Sequence, residues 1–131
     1  MLKDYTFHEN GKITSTVRCD DSEISFYESQ GVYQEVFANI DTDYLLDGVA
    51  TKRLTPSVLV DKYQFTADGI DTVVFSNVPS GHFSAIHSVL GSMVEGDIEG
   101  TDTFSTTIPG TYKVKIESFP YLDFEATIEA I

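Results

Sequence analysis

Three histidines, one cysteine and two acidic clusters are the residues of this chain whose types suit catalysis or metal binding. Catalysis needs a nucleophile with a base in reach, paired carboxylates in a pocket, or a metal. His82 and His87 lie five apart, an odd spacing, so one uninterrupted strand would turn them to opposite sides. His8 stands alone in the N-terminal region. No serine sits in a G-x-S-x-G elbow, and GSMVEGDIEG (91–100) lacks the lysine and the helix of a phosphate loop. The histidines therefore read as surface or half-buried residues, and no catalytic residue and no enzyme activity is expected.

The acidic clusters are Asp41-Thr42-Asp43 followed by Asp47, and Glu95-Gly96-Asp97 followed by Glu99 and Asp102. Calcium favours such oxygen-rich loops, but neither cluster has the spacing of the twelve-residue calcium loop. They read as solvated acidic loops, with no metal and no cofactor expected. Cys19 alone excludes a disulfide within one chain and any cysteine-based metal site. It reads as a small buried residue at a strand end.

At 131 residues the chain is long enough for one good-sized core or two small modules. Eight basic residues against 21 acidic ones leave a net charge of −13, and no Lys or Arg occurs between Lys62 and Lys113. Such a surface repels phosphate backbones and anionic lipid, which argues against nucleic-acid and membrane partners. The start, MLKDYTFHENGK, lacks the apolar run of a signal peptide, and no stretch approaches the roughly 20 apolar residues of a membrane helix. The expectation is a protein made and kept in the cytosol unless it leaves within a larger particle or by lysis. Nine Phe and seven Tyr with no Trp, among many Val, Ile and Thr, suit sheets.

The strongest element signal is Pro109 to Ile131. Tyr112, Val114 and Ile116 alternate with Lys113, Lys115 and Glu117; after Pro120, Leu122, Phe124, Ala126, Ile128 and Ala130 alternate with Asp123, Glu125, Thr127 and Glu129. A period of two marks a strand with one buried and one wet face. Upstream, DYTFH and KITSTVRC form a hairpin around Glu9-Asn10-Gly11, with Ile13, Ser15, Val17 and Cys19 on one face. ISFYES fits either a strand or a helical turn capped by Asp20 or Asp21, and VYQEVFA reads as a strand. Asp47-Gly48 sets a second hairpin in YLLDGVATKRL. Thr55-Pro56-Ser57 is the best boundary, since proline forbids continuing a central strand. The expected domains are a thin-cored β module over 1–55 and a larger one over 56–131.

In the second module LVDKYQFT and DTVVFSNV read as strands, with Val73 and Phe75 facing inward and Pro79-Ser80-Gly81 turning the chain. HFSAIHSVL, SMVEG and DTFSTTI are shorter candidates. Six or seven short strands with a turn every eight to twelve residues is the pattern of a Greek-key β-sandwich. Tyr112 after Gly110-Thr111 fits the tyrosine corner of such sandwiches, or is simply an amphipathic strand residue with a wet hydroxyl. The fold class is thus all-β: a small β-hairpin module followed by an immunoglobulin-like Greek-key β-sandwich.

FTADGIDTVVFSNVPSG (65–81) and PGTYKVKIESFPYLDFEATIEA (109–130) resemble the immunoglobulin-like module of short tailed-bacteriophage and prophage proteins. The shared features are an A-x-G-x-D start, an alternating strand ending at a proline, a PG-x-Y strand and an F-PY segment. ENGKI and NIDTDYLLDGVATKR resemble the leader segment that precedes this module, while 82–108 departs from the V-x-V-D-G hairpin of the pattern. The resemblance implies a non-enzymatic structural component of a phage virion, associated with the tail or its fibre and tip. Its partners would be other virion proteins and further copies of itself. A capsid decoration protein is the alternative. Candidate contact residues are the surplus aromatics of the first module, Tyr5, Phe7, Phe26, Tyr27, Tyr33 and Phe37, set against an ordinary core role for each. A carbohydrate-binding module is a further reading, with Tyr33, Tyr44 or Tyr121 stacking weakly on a glycan, although no paired aromatic platform emerges from the spacing.

Overall fold

Asn10 and Gly11 take positive φ angles of 51° and 88°, as do Asp47 and Gly48 at 51° and 79°, so both two-residue turns adopt the twist that strand pairs need. They belong to a computed structural model of residues 1–131, all-β apart from one short helix. The chain divides into two compact units, Met1–Leu54 and Thr55–Ile131.

In the N-terminal unit the first turn joins β1 (Leu2–Glu9) to β2 (Lys12–Asp20), closed by the pair Glu9 and Lys12. A bulge between Phe7 and His8 shifts the register. Ile13 and Cys19 are buried, and Ser15 and Val17 half-buried, on the expected face. After Asp20, whose carboxylate accepts the Ser22 N–H at 3.1 Å, Ile24–Gln30 forms a 3-10 helix. Helix rather than strand prevails because this local hydrogen bond and that from the Glu23 N–H to the Asp20 carbonyl (2.8 Å) already curl the chain. Only Val32–Gln34 of VYQEVFA is a strand, β3.

The sheet order β2-β1-β3 makes β1 central, and its Tyr5, Thr6 and Phe7 are buried on both faces. The Thr6 hydroxyl donates to the Val36 carbonyl at 2.7 Å. The second turn joins β4 (Asp43–Leu46) to β5 (Val49–Lys52). A small cluster of Ile13, Ala38 and Leu45 forms a separate core.

Asp43 ties this corner together. Its carboxylate accepts the Asn39 N–H at 2.9 Å and pairs at 2.9 Å with Lys52, the residue opposite it across the hairpin. Those bonds, the backbone one foremost, hold its pKa below the ordinary 3.8. A depressed folded-state pKa stabilises fully above the unfolded value, and the contribution fades as pH falls through the folded one. Acid titration below pH 3.8 is therefore expected to loosen the 39–43 loop, read by amide exchange, and Asp43→Asn is expected to remove that dependence at this loop.

In the C-terminal unit LVDKYQFT is not one strand. β6 (Leu59–Val60) pairs antiparallel with β8 (Val73–His87), whereas β7 (Gln64–Phe65) pairs parallel with β11 (Phe124–Ala130). The break is fixed at Asp61, whose carboxylate accepts the Val74 N–H at 2.8 Å, and at Lys62, whose ammonium meets Asp71 at 2.6 Å. Pro79-Ser80-Gly81 does not turn either: β8 runs through it for 15 residues against β9 (Met93–Phe104). Proline is tolerated because the β8–β9 register shifts on both sides of Val78, next to Asn77 at φ 57°. The short candidates HFSAIHSVL, SMVEG and DTFSTTI thus merge into two long strands.

The sheet order is β6-β8-β10-β11-β7, with β9 on the far side of β8 and β10 spanning Gly110–Glu117. The first half of β8 pairs with β6 and the second with β10, so the curled β8–β9 hairpin serves both layers of the sandwich. Val73, Phe75, Phe104, Val114, Ile116 and Ile128 fill the space between them. β10 and β11 alternate as expected: Tyr112, Val114 and Ile116 are buried, and Asp123, Glu125, Thr127 and Glu129 exposed. The Tyr112 hydroxyl donates to the Ile108 carbonyl at 2.8 Å and lies 3.0 Å from the Thr106 hydroxyl, forming the tyrosine corner.

Candidate contact surfaces

The six aromatics singled out in the first module separate into two groups. Tyr5 and Phe7 are buried, which removes them as surface contacts; they pack against Tyr33 at ring-centroid distances of 5.7 and 5.5 Å. Their position on the central strand explains this, since Tyr33 sits directly opposite Phe7 in the register. Phe26 and Phe37 are exposed, at 80% and 72%, and Tyr27 is half-buried. Phe26 and Tyr27 ride on the 3-10 helix, none of whose residues is buried. The surface surplus therefore lies outside the sheet, where strand periodicity carries no information. Tyr33 belongs to the aromatic cluster with Tyr5 and Phe7 and is half-buried.

The histidines are not brought together. His82 is exposed, with Nε2 3.2 Å from Glu95. His87 is buried: Nδ1 accepts the Val89 and Leu90 N–H groups at 3.1 and 3.0 Å, leaving the proton on Nε2 to bond the Pro109 carbonyl at 2.9 Å. The two rings thus face opposite sides of β8, as their odd spacing implied. His8 accepts the Gly11 N–H at 3.2 Å through Nδ1, and its buried Nε2 has no partner. Cys19 is buried, and burial first and then Glu23 push its thiol pKa up, which suppresses thiolate chemistry.

The acidic loops divide as well. Asp43 is committed to Asn39 and Lys52, whereas Asp97 and Glu99 project from β9 into solvent. The Asp102 carboxylate accepts its neighbour Thr103 N–H at 2.8 Å. On the outer face of β8, β10 and β11, Lys115 lies between Glu117 at 3.7 Å and Asp123 at 3.5 Å, and those carboxylates raise its pKa. Sequence reading missed one apolar surface. Ile86 and Met93 pair across the β8–β9 hairpin, and with Val89 and Leu90 at its tip they stand exposed. The run SVLGSMV held that signal, but a buried strand would read the same way.

The fold and these surfaces define a two-unit all-β protein with a sandwich C-terminal unit and exposed apolar side chains on both units. No family model matches the chain, and no curated protein matches it. Among solved structures it is similar to a glycosyl hydrolase family 2 member from Bacteroides cellulosilyticus, at 11% identity and a TM-score of 0.37. That match covers 98% of this chain and 22% of the hydrolase, so the chain spans about a fifth of its length.

Proposed function

We propose that this chain is a non-enzymatic structural component of a tailed-phage virion, tail or tail-fibre associated, working through protein–protein contacts. The observation that carries the contact role is the surface of the N-terminal unit. Phe26, Val32, Phe37, Leu46, Val49 and Leu54 are all exposed in a unit of 54 residues whose own cores are small. Apolar side chains left in water in such number favour burial against a neighbouring subunit. The type of particle is supplied by the resemblance of 65–81 and 109–130 to phage immunoglobulin-like modules.

Mass spectrometry of purified particles is the test, and the chain is expected among the virion proteins. Its absence would sink the reading. Electron microscopy then decides position: copies along the tail axis support it, and copies following the shell lattice would replace it with capsid decoration. A Phe26→Ser, Phe37→Ser double variant is expected to fold normally and to be depleted from particles.

A further inference from the structure

β9 is hydrogen-bonded along one side alone, to β8, regularly from Met93 to Ile98 and with register shifts around Gly100 before the ladder resumes at Asp102. Its far side is an open row of backbone N–H and C=O groups, the template on which an extended chain adds as a further strand. Neither proline nor lysine interrupts this edge; the irregularity at Gly100 bends it, and the carboxylates of Glu95, Asp97 and Glu99 guard it against acidic chains.

The side chains decide what it would accept. At a period of two, Glu95, Asp97 and Glu99 share one face of β9, and Val94, Gly96 and Ile98 share the other. Glu95 meets His82, which stands directly opposite Asp97 in the register, and no Lys or Arg pairs with Asp97 or Glu99. The two halves of β9 flank an open slot of about 260 Å³, with Phe75, Phe83, Phe104, Val94 and Ile98 at its floor and Glu95, Asp97 and Asp102 also on its border. Gly96 leaves room there, for nothing lies within 4 Å of where its Cβ would be.

We propose that β9 is an acceptor edge for an extended segment of a partner protein in which Lys or Arg alternates with apolar residues. Such a segment places its cations over Glu95, Asp97 and Glu99 and its apolar side chains beside the slot. A second copy of β9 is disfavoured, because it would bring the same carboxylates against each other in a chain of net charge −13. This goes beyond the proposed virion role and stands whether or not the chain is found in particles.

The test titrates the full chain, isotopically labelled for NMR, with acetyl-Lys-Val-Lys-Phe-Lys-Val-Lys-amide. The expected result is slowed amide exchange at alternate residues of Met93–Phe104. Binding is expected to weaken by about tenfold in Asp97→Asn, Glu99→Gln and again for a peptide N-methylated at alternate backbone nitrogens. A peptide with Glu in place of Lys is expected not to bind. The proposal is overturned by no binding at millimolar peptide, by protection that maps away from β9, or by equal affinity of the N-methylated peptide, which would mean charge attraction alone.

Discussion

Gly110→Ala is expected to destabilise the C-terminal unit by about 4 kcal/mol, combining backbone strain with overpacking. Gly110 opens β10 at φ 143°, a conformation that side chains rarely adopt. A Cβ there would also overlap the His87 ring, held at Nδ1 by the Val89 and Leu90 N–H groups and at Nε2 by the Pro109 carbonyl. The ring cannot retreat without giving up those bonds and its edge-on packing on Tyr112, at a centroid distance of 5.2 Å. A double-mutant cycle separates the two causes. In a His87→Ala background the steric part is expected to vanish and the strain alone to remain. Urea midpoints of the four proteins measure it, and equal costs in both backgrounds would show that the overlap contributes nothing.

Phe75→Ala carries the other large expected loss, about 3–5 kcal/mol from lost burial and the cavity left behind. Phe75 is 1% exposed and its ring meets Phe83 at 5.5 Å. It sits on the half of β8 flanked by both β6 and β9, so neither neighbour is free to collapse into the void. Phe26→Ala removes the same ring from an exposed position and is expected to change stability by less than about 0.5 kcal/mol. The contrast, read from denaturation midpoints at unchanged slope, tests whether burial rather than aromatic content holds the chain together.

Several elements were legible because the backbone demands specific residues. Asn10-Gly11 and Asp47-Gly48 supply positive φ angles, and the alternation from Tyr112 to Ala130 matches the pleat side chain by side chain. By sequence Tyr112 fits either a corner or a wet strand residue, and its bond to the Ile108 carbonyl makes it a corner. Pro79-Ser80-Gly81 misled because turn residues also serve bulges, and only the partner strand distinguishes the two. Gly81 is there for close approach, since a Cβ would overlap the Glu117 carbonyl and Ser118 hydroxyl. LVDKYQFT split because its alternation says nothing about which neighbour each half pairs with. Tyr5 and Phe7 could not be told from Phe26 and Phe37 by type, because strand order in the sheet decided their burial. The β9 edge was visible only as a stretch without cations, since no local pattern marks a strand as the last in its sheet.

The parallel pairing of β7 with β11 bears on mechanical behaviour. Around the paired residues the Ala67 N–H donates to the Ile131 carbonyl, and the Glu129 and Ile131 N–H groups donate to the Tyr63 and Phe65 carbonyls, all at 2.8–2.9 Å. Drawing the N-terminal end of β7 and the C-terminal end of β11 apart would load these bonds together in shear, because the two strands run parallel. The same pull on the open ends of the antiparallel β10–β11 pair would load its bonds one after another.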